Sequence, residues 1–420
     1  MLTARAGDVT RKAGVKGRIL TMPANTKGKS PFYPGQPVPV ELFAGRALQL
    51  DRIMTRGVAQ VAAGKPVSIF IQGEYGIGKS SIAGFVQYMA ERSELHSIYA
   101  SLGGAESLDD VGAKILEATV LSSGTGQPRT GQIRGWLAKY IGEQSLFGLT
   151  LHIDALRKDA PSVAAGILPF LTHVHADLRD SGVKGILLIL DEINGITSNP
   201  KFAHWIKGLV DTNALARPSL PLLLILCGVE DRRREMIQHH QPVDRIFDVI
   251  EIEPMTVEEM SNFFTKAFNS VDMRVEESAL KLLVHYSAGF PKIMHLVGDA
   301  VYWRDQDGVI DESDATAGVI MAADEVGKKY VDQQVYKALR SADYHSILKK
   351  IAKLGPDKMS FTKAEVLTGL SDTERRKFNN FLQKMKSLKV LRSGDLQGEY
   401  VFNIRMVRLY IWLQSTTENE

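Results

Sequence analysis

Gly73, Gly76, Gly78, Lys79 and Ser80 stand at the spacing GxxxxGK[ST] without a mismatch. Residues of these types at these intervals suit the holding of phosphate. Backbone N–H groups must close on phosphate oxygens, which glycines permit and Cβ atoms obstruct. Lys79 can then reach the β- and γ-phosphates of a nucleoside triphosphate, and the Ser80 hydroxyl is placed to ligate Mg²⁺. The cradle comprises Gly73-Glu74-Tyr75-Gly76-Ile77-Gly78-Lys79-Ser80, with Ser81 behind it. A second pair of chemically active residues, Asp191 and Glu192, follows five apolar residues and lies more than a hundred positions downstream. Asp191 is placed to hold the Mg²⁺ shell and Glu192 to polarise an attacking water, because displacement at phosphorus needs an in-line nucleophile oriented by a base.

Both sets need rigid elements to carry them. Residues 67–71, bounded by Pro66 and Gly73, form a short apolar run that reads as a fully buried strand. Ile82, Phe85, Val86 and Met89 continue the cradle as a helix. Residues 185–190 form a second buried strand that presents Asp191 and Glu192 at its C-terminal end. Strands at 97–102 and 222–227 and helices at 108–120 and 166–178 complete an alternating β/α pattern, the signature of a parallel sheet. Residues 121–165 lose this rhythm and read as a surface insertion holding one helix, 133–141, and a short strand or hairpin, 149–153.

The composition is that of a water-soluble globular chain of two or three domains: 420 residues, 44% hydrophobic and 24% charged. No run approaches a membrane span, and the apolar stretch near the N-terminus is broken by Lys16, Gly17 and Arg18, the wrong pattern for a secretion signal. Cys227, the single cysteine, has no internal disulfide partner, and cytoplasmic residence is the expectation. The net charge of +3 conceals basic ends and an acidic middle. Residues 1–40 carry seven Lys or Arg against Asp8 alone, and residues 337–410 carry sixteen against seven acids. We expect 1–40 to be a flexible basic arm and Pro-rich lead, extended over a surface between 30 and 39.

Following that lead, Phe43-Ala44-Gly45-Arg46 opens a helical face. Together with the cradle and the Asp191-Glu192 strand, this turn resembles the origin-recognition-like and archaeal-type AAA+ ATPases, over roughly residues 40–410. The resemblance implies an α/β P-loop NTPase (AAA+) core with a parallel sheet at 41–254, a helical lid at 255–336 and a C-terminal winged helix-turn-helix at 337–420. It implies that Phe43, Gly45 and Arg46 border the adenine. It implies that Arg245, just before Phe247 and a short strand, is an arginine finger reaching a neighbouring subunit's γ-phosphate. An ion pair with Asp244 or Asp248 is the alternative for that residue. Pro291 and Lys292 stand where many relatives carry Gly-x-Pro-Arg, the second sensor; lysine keeps the charge but gives up the bidentate fork. Val229 stands where a polar first sensor belongs, so Glu230 or Asp231 serves instead or the sensor is missing.

In the last segment, Thr362 with Glu365 and Ser371 with Glu374 are capping boxes that start two helices around a tight turn. On the second of these, at about 373–389, Phe378, Phe381, Leu382, Met385 and Leu388 share the core side. Arg376, Asn379, Asn380 and Gln383 lie opposite, bordered by Lys384 and Lys386, with Arg392 in a turn-rich wing. Such residues bond base edges and phosphates, so DNA is the expected partner; a solvated face, a protein docking site or a lid over nucleotide has the same composition. The leading expectation is an ATP- and Mg²⁺-dependent ATPase switch that forms a homo-oligomer and engages DNA or a protein effector. The alternative is a STAND-like signalling scaffold that retains nucleotide with little turnover.

Overall fold

The computed structural model describes residues 27–36, 39, 43–122 and 163–417. The helix and strand expected within 121–165 fall outside these residues. Five runs rich in Leu, Ile and Val make one parallel sheet: β1 (Val67–Gly73), β2 (Leu95–Ser101), β3 (Gly185–Asp191), β4 (Leu222–Gly228) and β5 (Asp248–Ile252). Their order is β2-β3-β4-β1-β5. Because all five strands run the same way, the glycine turn after β1 and the acids closing β3 emerge at one edge of the sheet.

Side chains alternate across each strand, so both faces must be covered. Ile69 and Ile71 join Leu187 and Ile189 against one helical layer, whereas Phe70 joins Leu188 and Leu190 against the other. The first layer holds α1 (Ala47–Ile53), α2 (Ala59–Ala62) and α3 (Lys79–Arg92); the second holds α4 (Leu108–Ser122), α5 (Val163–Arg179), α6 (Pro200–Leu215) and α7 (Glu230–His239).

A second unit consists of α8 (Val257–Asn269), α9 (Glu277–Ser287), α10 (Pro291–Arg304) and α11 (Glu312–Val326) around a core that includes Phe264, Phe268, Leu283 and Val297. The sequence starts α8 sharply: Thr256 and Glu259 form both halves of a capping box. Beyond α11 the chain widens into π-helical turns at Gly327–Tyr336, where Val331 and Val335 enter the core of a third unit.

That unit runs α12 (Ala342–Ala352), β6 (Ser360–Thr362), α13 (Lys363–Leu367), α14 (Asp372–Ser387), β7 (Leu391–Ser393), β8 (Glu399–Phe402) and α15 (Arg405–Thr417). The three strands form an antiparallel sheet in the order β6-β8-β7. Strand β6 was not anticipated from sequence, since three residues are too few to show a period of two. Helix α15 fastens the units together: Met406 and Leu409 pack into the second, and Val407, Tyr410 and Ile411 into the third.

Where it is described, the Pro-rich lead lies against the second unit. Phe32 is only 4% exposed, enclosed by Phe263, Phe264 and Phe268. Lys27 pairs with Asp305 at 3.4 Å, and the Tyr302 hydroxyl donates to the Gly28 carbonyl at 2.9 Å. Gly298 makes the room, because a Cβ there would stand 2.3 Å from the Phe32 ring. Burial of the ring, worth about 2 kcal/mol, offsets part of the entropy of ordering this short strap, about 1–2 kcal/mol per residue.

Candidate functional site

Strand β1 ends in the glycine turn and α3 begins at its close, with Gly76 and Gly78 at φ of 76° and 99°, a region that side chains rarely enter. Lys79 is the first residue of α3. Its Nζ donates to the carbonyls of Gly73 and Glu74 at 2.9 Å each and lies 5.6 Å from the centre of the exposed Tyr75 ring. Burial lowers its pKa from the usual lysine value, while Cys227, Asp191 and Glu74 act in the other direction.

Across the edge, Asp191 is 4% exposed and accepts a 2.5 Å hydrogen bond from the Tyr99 hydroxyl. Burial raises the phenol well above its ordinary pKa, the Asp191 charge and hydrogen bond raise it further, and the neighbouring Ser80 hydroxyl opposes them. Ser80 and Asp191 thus flank the same phenol oxygen. A hydroxyl and a carboxylate are hard oxygen donors, the chemistry that fits Mg²⁺.

Glu192 takes a left-handed φ of 55°, and its N–H donates to Asp191 Oδ1 at 2.8 Å. Its carboxylate accepts from Ser101 Oγ at 2.9 Å and lies over Gly103, where a Cβ would come within 2.4 Å of Oε2. Sequence reading missed both hydroxyl partners on β2. The signal was available: Ser97, Tyr99 and Ser101 recur at a period of two along a strand, which puts them on one side.

The second unit closes over the cradle. Lys292 donates its backbone N–H to the Gly76 carbonyl at 3.3 Å, and its side chain lies where a Cβ on Gly76 would make contact at 3.1 Å. Pro291 stands similarly over Gly78. The N-terminal turn completes the enclosure. Gly45 has φ 75°, and a Cβ there would stand 2.7 Å from Glu259 Oε1. Buried Arg46 gives its backbone N–H to the same oxygen at 2.9 Å and its guanidinium to the carbonyls of Glu253 and Ile77. Desolvation lowers the Arg46 pKa, with Glu259 and Glu253 opposing. Phe43 stacks on Phe85 at 4.9 Å between ring centres.

One cavity results where these parts meet. The turn contributes Phe43, Ala44 and Arg46, and the cradle with α3 contributes Ile77, Gly78, Ser81 and Ile82. The lid side contributes Met255, Phe263, Pro291, Met294 and His295. Such a cavity can take a flat apolar ring at one end while the glycine turn meets phosphates at the other.

No protein-family model and no curated protein matches the chain. Among solved structures, the Walker-type ATPase PABY2304 of Pyrococcus abyssi superposes with a TM-score of 0.54 at 16% identity, covering 88% of this chain and 96% of that one. The Aeropyrum pernix ORC2 protein, solved as ADPNP–ADP complexes, gives a TM-score of 0.56 at 14% identity, covering 92% and 96%. The chain has the fold of the origin-recognition-like AAA+ ATPases.

Val229, which the resemblance would put at the first-sensor position, is buried. Glu230 and Asp231 do not stand free in its place, because Glu230 pairs with Arg234 at 2.6 Å and Asp231 with Lys389 of the third unit at 3.1 Å. Arg245 is not part of the cavity in its own chain. It sits exposed on the short turn Gln241–Ile246. The acids beside it are engaged elsewhere: Asp244 with Arg233 and Asp248 with Arg52. The α14 residues and Arg392 belong to the third unit and do not line the cavity. Arg376, Asn379, Asn380, Gln383, Lys384 and Arg392 are exposed and Lys386 is half-buried. Asn379 accepts from Lys363 at 2.9 Å, and Lys386 donates to Ser393 at 2.9 Å.

Proposed function

We propose that this chain is an ATP-binding and ATP-hydrolysing switch that assembles when ATP is bound and contacts DNA through the α14 face and the wing. The observation that carries this reading is the closure of the lid on the cradle, Pro291 and Lys292 over Gly78 and Gly76, around a cavity built from three separate parts of the chain. A nucleotide seated there would touch both units at once, so its γ-phosphate would bias their relative position. Lys79 would hold the β- and γ-phosphates. Ser80 and Asp191 would hold Mg²⁺, whose contribution is to neutralise phosphate charge. Glu192, released from Ser101, would orient water, and Arg245 would complete a neighbour's site. The arrangement of α12, α13, α14 and the β7–β8 pair supports a winged helix-turn-helix reading of the third unit.

A second reading, the retained-nucleotide scaffold, is favoured by the engagement of Glu192 with Ser101 and by the lack of a polar side chain at Val229. Nucleotide binding and turnover separate the two. Lys79→Ala is expected to abolish ATP binding, and Glu192→Gln to keep binding while cutting turnover by about a hundredfold or more. Wild-type turnover no faster than that of Glu192→Gln, with ATP bound, would replace the switch by the scaffold.

A further inference from the structure

His295 lines the cavity but has no part in the cradle, the cation site or the Pro291-Lys292 contact. It lies on α10, four residues after Pro291, and so on the same face of the helix as the residue covering Gly78. The ring is 4% exposed and packs edge-on against Phe263 at 5.0 Å and Phe32 at 6.2 Å between centres. Its Nδ1 accepts a 3.2 Å hydrogen bond from the backbone N–H of Tyr33, in the strap. Burial lowers the imidazole pKa to about 4, so the ring is neutral near pH 7. A neutral imidazole carries one proton, and with Nδ1 accepting, that proton is on Nε2.

Nε2 makes no hydrogen bond among the described residues, yet it is not one of the sealed buried atoms that lack a partner. Phe32, Tyr33 and Phe263 pack around the ring, and His295 is itself one of the residues lining the cavity. The walls around it are apolar, formed by Phe43, Met255, Met294 and Ile82, and suit the face of an aromatic base. Arg46, the charged group on the wall, is committed to the carbonyls of Ile77 and Glu253.

We propose that His295 reads the base of the bound nucleotide. Its Nε2–H donates to an unprotonated ring nitrogen of the purine, and the N-terminal strap, through the Tyr33 amide, fixes the tautomer that makes it a donor. This inference rests on the nucleotide reading above and adds to it the group that recognises the purine. It also gives residues 27–33 a part in nucleotide binding, by way of a ring they hold in place.

The test is equilibrium binding of ATP and of 1-deaza-, 3-deaza- and 7-deaza-ATP to the full chain, as wild type, His295→Phe and His295→Gln. One deaza analogue should bind wild type about tenfold more weakly than ATP, the size of one hydrogen bond. That penalty should vanish in His295→Phe and return in part in His295→Gln, which restores an N–H donor. If wild type binds all three analogues as tightly as ATP, the base is not read and the proposal falls. Because that series uses unaltered protein, a variant that fails to fold does not affect it. Failure of ATP itself to bind would overturn the nucleotide reading and this inference together, whereas ATP binding with no deaza penalty overturns this inference alone.

Discussion

The ionisation of His295 follows from the strap that buries it. A free imidazole titrates near 6.5 and this one near 4, so between those values the unfolded chain binds the extra proton and the folded chain does not. Its contribution is complete above pH 6.5 and is lost as the pH falls toward 4, on the order of 3 kcal/mol over that window. Urea denaturation midpoints measured between pH 4 and 7 should fall with pH in wild type and fall less in His295→Phe; equal slopes would mean that another group titrates. Residues differ in how openly the sequence declares them. The cradle from Gly73 to Ser80 was legible because its chemistry is contiguous and Gly76 and Gly78 answer a local backbone demand. Tyr99 and Ser101 were not, because their partners Asp191 and Glu192 meet them only once β2 pairs with β3. His295 was hidden in the same way, since its role depends on a strap more than two hundred and fifty residues earlier.

Elements with local start signals were read closely from sequence. The capping boxes at Thr362 and Ser371 both form, and Phe378, Phe381, Leu382 and Met385 of α14 are buried as its period requires. Summed charge proved a poorer guide. Arg408, one of the sixteen cations counted in the last segment, is fully buried and donates to the carbonyls of Ile351, Ala352, Gly355 and Lys358. Desolvation lowers its pKa to about 10. Lys377 and Lys350 are likewise engaged, with Asp343 and Glu374 at 2.5 Å each. The proposed DNA contact therefore narrows to the outward residues of α14 and Arg392. Duplex DNA binding measured across a salt series should weaken in Lys384→Ala and Arg392→Ala, each lowering the slope of log K against log salt by about one. Slopes identical to wild type would leave the face as a protein docking surface or a solvated one.

At the scale of the whole molecule, α15 packs into both the second and the third unit, and local polar contacts tie these two units to the core. The lid meets the cradle at Pro291 and Lys292, the third unit meets the core at Lys389 and Asp231, and Arg405 meets His285 at 2.9 Å. A contact as local as that of Pro291 and Lys292 with the cradle suits a second unit that shifts against the core when the site between them fills. In the proposed switch, Arg245, exposed and with its neighbouring acids paired elsewhere, would be the residue that enters a neighbouring subunit's site. Light scattering of the full chain with ATP and Mg²⁺ measures this most directly. Wild type is expected to form a defined oligomer that duplex DNA enlarges or stabilises, while Lys79→Ala and Arg245→Ala remain small. A wild-type chain that stays monomeric with nucleotide bound, or an Arg245→Ala variant that assembles as wild type does, would contradict the ATP-driven switch.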